Sequence, residues 1–599
     1  MQDFLPITRA DMQKRNWQEL DFILITGDAY VDHPSFGAAI ISRLLESRGY
    51  RIGILSQPDF NSAKSFRVLG KPRLAFLITS GNIDSMVNNY TVSKKRRTVD
   101  VYSPGGQRGL RPDRAAIVYS IRVREAYGPV PIILGGLEAS LRRLAHYDYW
   151  TDRVRPSLLL DAHADLLVYG MGEKAVLEIA SLLGEGKAVS EIRSVTGTVF
   201  IANSLQAIGN YLELPSYRAL KESKHDFTQS FLIQQENNDH IKGKALVEPY
   251  EQCFVVQNPP TWPLTRKELD EIYELPFRRD FHPAYREAGG VPALQEVKFS
   301  LTSCRGCFGN CHFCSLTFHQ GRLVSARSQE SLVREVETIK KFPDFKGYIH
   351  DVGGPTANFR RPACSKQLKY GNCKGKDCLV PRPCPNLVID HQDYLALLTK
   401  LKHLPGIKKV FIRSGLRFDY LMADPDKRFF TALVKDHISG QLKVAPEHVC
   451  DEVLTLMNKA PHAVYEKFKQ HFQNLNEKLH KKQFLVPYYI SAHPGSTLKH
   501  AVELACYFRE NHYIPEQVQD FYPTPGTMST CMYYTGINPR TGQAVFVARK
   551  GYEKAMQRAL MQFNKSKNYD LVYKALLRAG RKDLIGFHKK CLIKPRFKK

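Results

Sequence analysis

Several things are scarce in this chain of 599 residues, and each scarcity removes a class of protein. No run approaches the ~18 uninterrupted apolar residues that a membrane helix requires. The opening Met1-Gln-Asp-Phe-Leu-Pro-Ile-Thr-Arg9 lacks the basic-then-apolar layout of a secretory leader. A cytoplasmic location with no membrane partner is therefore expected. There is no internal repeat at solenoid or propeller periods and no low-complexity tract, which excludes a stacked array and a flexible scaffold. Acidic residues are outnumbered: 59 Asp and Glu stand against 86 Lys and Arg, a formal net charge of +27. Such a balance draws polyanions towards the protein. About half of the excess lies at the end, where Arg549 to Lys599 holds 16 basic residues against Glu553, Asp570 and Asp583. That stretch reads either as a solvated helical surface with a frayed tail or as a contact for RNA, a ribosome or another acidic partner.

What is present is otherwise ordinary for a globular protein, with 43% hydrophobic and 24% charged residues. The length suggests roughly three to five structural units. Thirteen cysteines without an export signal argue against a disulfide framework, because cytosolic thiols are kept reduced. Eight of them fall in two groups between Cys304 and Cys384, and such clustering points to metal. The scattered Cys253, Cys450, Cys506, Cys531 and Cys591 read as small buried hydrophobes.

The first ~215 residues alternate apolar strand-like runs with helical patterns, the grammar of an α/β fold. Phe22-Ile-Leu-Ile-Thr26, Arg51-Ile-Gly-Ile-Leu55, Leu74-Ala-Phe-Leu-Ile78, Pro131-Ile-Ile-Leu134 and Leu166-Leu-Val-Tyr169 are the strands. Each ends in glycine or a polar turn, where an open parallel sheet presents its binding edge. A Rossmann-like, doubly wound domain is expected over 1–215. The rhythm lapses over 216–292, which contains polar Gln234 to His240 and the proline-rich Asn258-Pro-Pro-Thr-Trp-Pro263, and reads as a connector. Alternation returns over 293–562, with a Cys-rich insertion at 360–390, and 563–599 forms a basic, mainly helical extension.

The sharpest feature is Ser303-Cys304-Arg-Gly-Cys307-Phe-Gly-Asn-Cys311-His-Phe-Cys314. Three thiolates spaced C-x3-C-x2-C can close on three irons of a cubane cluster and leave the fourth iron without a protein ligand. A structural zinc site would want four ligands in two close pairs, and Cys304 with Cys307, and Cys311 with Cys314, would satisfy that count.

This motif resembles that of the radical S-adenosylmethionine superfamily, where C-x3-C-x-aromatic-C follows the first strand of a partial (β/α) barrel. The resemblance implies that Cys307, Cys311 and Cys314 hold a [4Fe-4S] cluster with Phe313 beside it, and that the open iron chelates S-adenosylmethionine. Reductive cleavage would then give methionine and a 5'-deoxyadenosyl radical, with the electron coming from a reductant such as flavodoxin or ferredoxin. Downstream, Tyr348-Ile-His-Asp351-Val-Gly353-Gly354-Pro355 stands where the superfamily carries a glycine-rich turn for the methionine amino group, with Pro355 replacing the usual glutamate. Ser414, after Val410-Phe-Ile-Arg413, is a further cofactor-binding candidate at a strand end. More narrowly, the whole chain resembles the YgiQ-type radical SAM proteins. The residues that carry this are Asp28-Ala-Tyr-Val-Asp32-His33-Pro-Ser-Phe-Gly37, Gly135-Gly-Leu-Glu138-Ala-Ser-Leu-Arg-Arg143, Asp351-Val-Gly-Gly-Pro-Thr-Ala357, Ala445-Pro-Glu-His448 and Phe521-Tyr-Pro-Thr-Pro-Gly526. The resemblance supplies a fold and a cofactor but no substrate and no catalytic side chain.

Two further constellations remain. Cys364, Cys373, Cys378 and Cys384 lie in a turn-rich insertion with little core of its own, and four soft ligands there suit a second zinc or iron-sulfur site. The amino-terminal domain resembles the cobalamin-binding domains that precede other radical SAM cores. Those offer an axial histidine in a D-x-H-x-x-G loop, whereas Val31-Asp32-His33-Pro-Ser-Phe-Gly37 departs from that spacing, so cobalamin is not expected. The competing reading of the whole chain is a metal-stabilised RNA-binding or assembly factor with a structural cluster.

Overall fold

The computed structural model describes residues 3–596. The amino-terminal half is built on a nine-stranded sheet. Its strands are β1 (Phe22–Thr26), β2 (Ile52–Ser56), β3 (Ala75–Thr79), β4 (Ile132–Leu134), β5 (Leu166–Val168), β6 (Thr198–Ala202), β7 (Tyr211–Glu213), β8 (Ala245–Pro249) and β9 (Phe254–Gln257), in spatial order β7-β8-β9-β6-β5-β4-β3-β1-β2. The segment β2-β1-β3-β4-β5 is parallel, with Phe22 opposite both Ile52 and Ala75. Every residue of β1 is buried, as its unbroken run of apolar side chains requires when helices cover both faces. This 2-1-3-4-5 order places a topological switch between β1 and β3, where an open sheet opens a crevice beyond its carboxyl edge.

Residues 216–292, read from sequence as a connector, contribute β8 and β9 to this sheet, paired antiparallel from Leu246 with Gln257 to Pro249 with Phe254. Val255 and Val256 are fully buried. The strands are short and flanked by polar and proline-rich stretches, which masked their periodicity.

The second half is a partial barrel of short parallel strands: β10 (Ser300–Thr302), β11 (Tyr348–Ile349), β12 (Asp351–Gly353), β13 (Lys409–Val410), β14 (Gln441–Glu447), β15 (Phe484–Ser491) and β16 (Gln519–Asp520). The pairs β10 with β12, β11 with β13, β14 with β15 and β15 with β16 are all parallel. Ile412 N–H donates to the His437 carbonyl at 3.0 Å and ties the two halves of the wall together. Alternation decides which side chains face where. Val352, Val410, Leu442 and Val444 join one apolar cluster with the outer helices, while Ser300, Thr302, Asp351 and Gly353 line a cavity.

One outer helix shows the local logic. Over Gln329–Ile339, Leu332, Val336 and Ile339 recur on one face and are fully buried, and Ser328 caps the start by accepting from Ser331 N–H at 3.0 Å. Full burial of each such side chain is worth about 1.5–3 kcal/mol.

At the carboxyl end, helices Gly551–Met561 and Tyr569–Arg578 pack on Leu498–Glu510 around Leu560, Val572 and Leu576. The chain continues with Leu592 and Ile593 buried in the same cluster, so the basic segment is no frayed tail up to that point. Its charges lie outside and its apolar residues inside. Lys598 and Lys599 lie outside the described residues.

Candidate functional site

The cysteine loop leaves β10, turns through Cys304–Arg305, and is pinned on both sides. Cys307 N–H donates to the Gly321 carbonyl at 3.1 Å, and Cys314 N–H to the Cys311 carbonyl at 3.0 Å. Across the barrel, His312 N–H donates to the Met457 carbonyl at 3.0 Å, and Asn458 Nδ2 donates to the Asn310 carbonyl at 2.8 Å. Cys307 and Cys314 both lie near enough to Cys311 to feel its charge. Burial pushes the Cys314 thiol up to about 12, with the neighbouring Cys311 and Cys307 adding to the rise. Burial also raises Cys307, against a hydroxyl contact from Thr356 Oγ1 at 3.4 Å. The three cysteines are half-buried, and burial that holds the Cys307 and Cys314 thiols protonated is offset when metal accepts the thiolates, which is the donor chemistry an iron-sulfur cluster uses.

Among the described residues no three His, Cys, Asp or Glu side chains close on a single ion. That is compatible with a cubane: thiolates on one zinc crowd to within about 4 Å of each other, whereas those on three irons stand wider apart. Cys304 lies deeper than these three, near enough to Cys307 to feel its charge. It is fully buried, pushed up to about 11 by desolvation, and its Sγ donates to the Thr356 carbonyl at 3.8 Å. Phe313 is half-buried and meets the His493 ring edge-on at 6.2 Å.

The glycine-rich turn follows β12 immediately. A Cβ on Gly353 would stand 2.1 Å from Ser414 Oγ, and one on Gly354 would stand 2.5 Å from Cys304 Sγ and 2.8 Å from its carbonyl oxygen. Only glycine permits this approach between neighbouring strands. The Gly353 carbonyl is already taken by Ser303 N–H at 2.7 Å. Asp351 accepts from the Ser414 hydroxyl and from Arg413 N–H at 2.8 Å, which fixes Ser414 against Gly353.

Gly353, Gly354, Pro355 and Ser414 all line one cavity of about 570 Å³. Its other wall is the carboxyl edge of the amino-terminal sheet: Ser35 and Gly37 after β1, Gly81 and Asn82 after β3, Gly135 and Gly136 after β4, and Gly170 to Glu173 after β5. The switch-point crevice and the barrel interior are thus a single space. An ion pair crosses between them, Arg305 of the cysteine loop donating to Glu173 at the start of helix Glu173–Gly184. His319 also lines the space, and burial holds its imidazole neutral, at about 4. Its Nδ1 lies 2.9 Å from Ser140 Oγ, which receives Gly170 N–H at 2.9 Å and lies 2.9 Å from the Gly136 carbonyl. One proton assignment satisfies all three contacts: the hydroxyl donates to the carbonyl and Nδ1–H donates to the hydroxyl, leaving a lone pair on Nε2.

His33 does not line this cavity. It is fully buried, its Nδ1 accepts from Ser35 N–H at 3.1 Å, and burial beside Arg279 holds it neutral.

The insertion folds back over the cysteine loop. Asp377 accepts from Asn310 Nδ2 at 2.7 Å and from Arg540 at 2.5 Å, and Phe308 stacks on Phe359 at 3.7 Å. Burial raises the Cys378 thiol, with Cys364 near enough to add to the rise, and Cys384 N–H donates to the Cys378 carbonyl at 2.9 Å. Cys373 is exposed.

Arg417 was not singled out from sequence. It is buried, its Nη1 donates to Cys311 Sγ at 3.2 Å, and Asp419 holds it through two bonds of 2.8 and 2.5 Å. The signal available was the Arg-x-Asp pair just after Ser414, an ionic couple at a strand end.

A barrel with this loop, covered by a switch-point sheet, defines the radical SAM class, and the Radical SAM N-terminal family model matches residues 4–300. A domain of unknown function, DUF3362, matches 516–599. The UPF0313 protein of Clostridium botulinum (strain ATCC 19397 / Type A) is 55% identical over 591 residues, covering 99% of this chain and 92% of the relative. A UPF0313 protein of Clostridium perfringens (strain 13 / Type A) is 55% identical over 592 residues, covering 99% and 89%. The chain belongs to the UPF0313 family.

Among solved structures, the radical S-adenosylmethionine methyltransferase TsrM from Kitasatospora setae, with cobalamin and [4Fe-4S] cluster bound, aligns with a TM-score of 0.50 and 12% identity, over 94% of this chain and 100% of that one. The likeness is one of fold. It corrects one expectation: a protein of this architecture carries cobalamin beside its cluster, so the case against cobalamin does not stand. That case rested on the spacing of one histidine, and the departure of a single ligand motif does not exclude the cofactor.

Proposed function

We propose that this protein is a radical SAM enzyme in which Cys307, Cys311 and Cys314 hold a [4Fe-4S] cluster and S-adenosylmethionine lies along Gly353, Gly354, Pro355 and Ser414. When bound, these groups supply a 5'-deoxyadenosyl radical, formed with one electron from a donor such as flavodoxin or ferredoxin. The observation that carries the reading is that Cys307, Cys311 and Cys314 stand half-buried on one loop, near enough for Cys307 and Cys314 both to feel Cys311, beside a Gly-Gly turn at the ends of adjacent barrel strands. The chain's own part is to orient and to exclude water. Asp351 fixes the Ser414 hydroxyl, the glycines let the backbone approach a ligand, and the amino-terminal sheet closes the barrel mouth. The Gly354 and Pro355 carbonyls are left for the methionine amino group.

The second wall of the cavity fits a large, mostly neutral partner: glycine-rich turns at a switch point offer backbone groups and a flat surface. Cobalamin, which TsrM of similar fold binds, is the cofactor we assign to that wall. The turns at Gly37, Gly81, Gly135 and Gly170 would meet it, while buried His33 offers it no ligand.

The test is anaerobic reconstitution with iron and sulfide, a strong reductant and S-adenosylmethionine. Parent protein and Cys304→Ala release 5'-deoxyadenosine, whereas Cys307→Ala, Cys311→Ala and Cys314→Ala each lose the cluster's visible absorption. A chromophore lost in Cys304→Ala and kept in Cys314→Ala overturns the ligand assignment. Cobalamin is tested separately, by equilibrium dialysis of hydroxocobalamin against the parent protein.

A further inference from the structure

We propose that Arg417 raises the reduction potential of the cluster, a role that rests on the ligand reading above. The guanidinium is placed for it. Nη1 donates to Cys311 Sγ at 3.2 Å and lies 3.4 Å from the Gly309 carbonyl, inside the loop that carries all three thiols. A Cβ on Gly309 would stand 2.7 Å from that nitrogen and 3.3 Å from Cys307 Sγ, so glycine there admits the cation between two of the sulfurs. Arg417 is 6% exposed and has little freedom to leave. Asp419 grips its other two nitrogens, and Asn358 clamps its backbone, accepting from Arg417 N–H at 3.0 Å and donating to the Arg417 carbonyl at 3.2 Å. Behind Asn358 stands His391 at 3.1 Å, itself bonded to Asp424 at 2.5 Å.

The sign follows from charge. Accepting an electron makes a cluster one unit more negative, and a buried cation donating to a ligand sulfur stabilises that state more than the oxidised one. Asp419 opposes this in part, but its carboxylate lies on the far side of the guanidinium from the sulfur. An ion pair serving packing alone has no reason to turn its cationic end to a thiol. The consequence is an easier single-electron transfer from an external donor of moderate potential.

The experiment is a redox titration followed by electron paramagnetic resonance on the full-length, reconstituted protein, with iron and sulfide counted per chain. Arg417→Met is expected to keep parent iron content and to titrate at a more negative potential. Arg417→Lys, which keeps the charge, returns most of the shift. Asp419→Asn, which removes the opposing charge, moves the potential the other way. If Arg417→Met fails to fold because Asp419 is left alone, Arg417→Met/Asp419→Leu removes both charges and still shifts negative. A fully loaded cluster at parent potential in the Arg417→Met protein, or in the double variant, overturns the proposal. A parent protein that takes up no iron overturns the ligand reading and this proposal together.

Discussion

Replacing Glu173 tests whether the two halves form one unit around their shared cavity. Glu173 is 3% exposed and Arg305 6%, and each keeps one atom without a partner, Oε2 and Nη2. Removing one member of such a pair costs about 3–5 kcal/mol, because it leaves a buried charge uncompensated, whereas replacing both with apolar residues of similar volume is often neutral. Glu173→Leu strands the Arg305 cation, whose other partner is the Tyr273 hydroxyl at 3.2 Å. Arg305→Met strands a carboxylate at a helix start, where the dipole stabilises it by about 0.3–1 kcal/mol, so it is the milder change. The double variant is expected within about 1 kcal/mol of the parent. Since a multidomain chain need not unfold in one step, the assay is native-state hydrogen exchange over residues 166–184 and 300–325. At about 1.4 kcal/mol per tenfold change, Glu173→Leu should raise opening there roughly a hundredfold or more. Opening unchanged in the single variants, or a double variant as costly as their sum, refutes the reasoning.

Four more outcomes are expected. Burial pushes the Glu248 carboxyl up to about 7, from an ordinary 4.5, against bonds from Tyr250 and Ala145 N–H. The folded state therefore binds a proton that the unfolded state releases, and stability is lost as pH rises from about 4.5 to about 7. Glu248→Gln should lack that fall in chemical denaturation series, and parallel pH profiles would contradict it. Leu592→Ala should cost about 2–5 kcal/mol as a core truncation. Exchanging exposed Lys589, Lys590, Lys594 and Arg596 for Gln should stay within about 0.5 kcal/mol, while flattening the salt dependence of any RNA affinity by roughly 0.7 for each phosphate no longer neutralised on single strands. Finally, the quadruple Ser variant of Cys364, Cys373, Cys378 and Cys384 should lose zinc or iron relative to the parent without losing S-adenosylmethionine cleavage, and unchanged elemental analysis removes the second site.

How much of this was legible in the sequence depended on whether one element or two had to be read at once. The strands Phe22–Thr26 and Ala75–Thr79 announced themselves because a central parallel strand is apolar on both faces, and the cysteine loop did so because its spacing is its chemistry. What lay hidden were pairings across sequence distance. Asp28 and Asp32, prominent in the motif Asp28 to Gly37, are buried partners of Arg111 and Arg43, so they hold the switch-point loop from behind the cavity wall rather than line it. Glu138 likewise accepts from Ser85 N–H at 2.8 Å beneath the Gly135-Gly136 turn. Strands β8 and β9 escaped because an antiparallel edge addition needs only a few alternating residues. The basic carboxyl end misled for a related reason: its Lys and Arg dominate any count of charge, while Leu592 and Ile593, which decide where the segment packs, are only two apolar residues among them. Arg417 combines both difficulties. Its role depends on Cys311, 106 positions earlier, and on a glycine whose missing Cβ makes room for it. A site assembled from strand ends is written in the sequence as separate short turns, and only closure of the barrel brings a cation to a thiol.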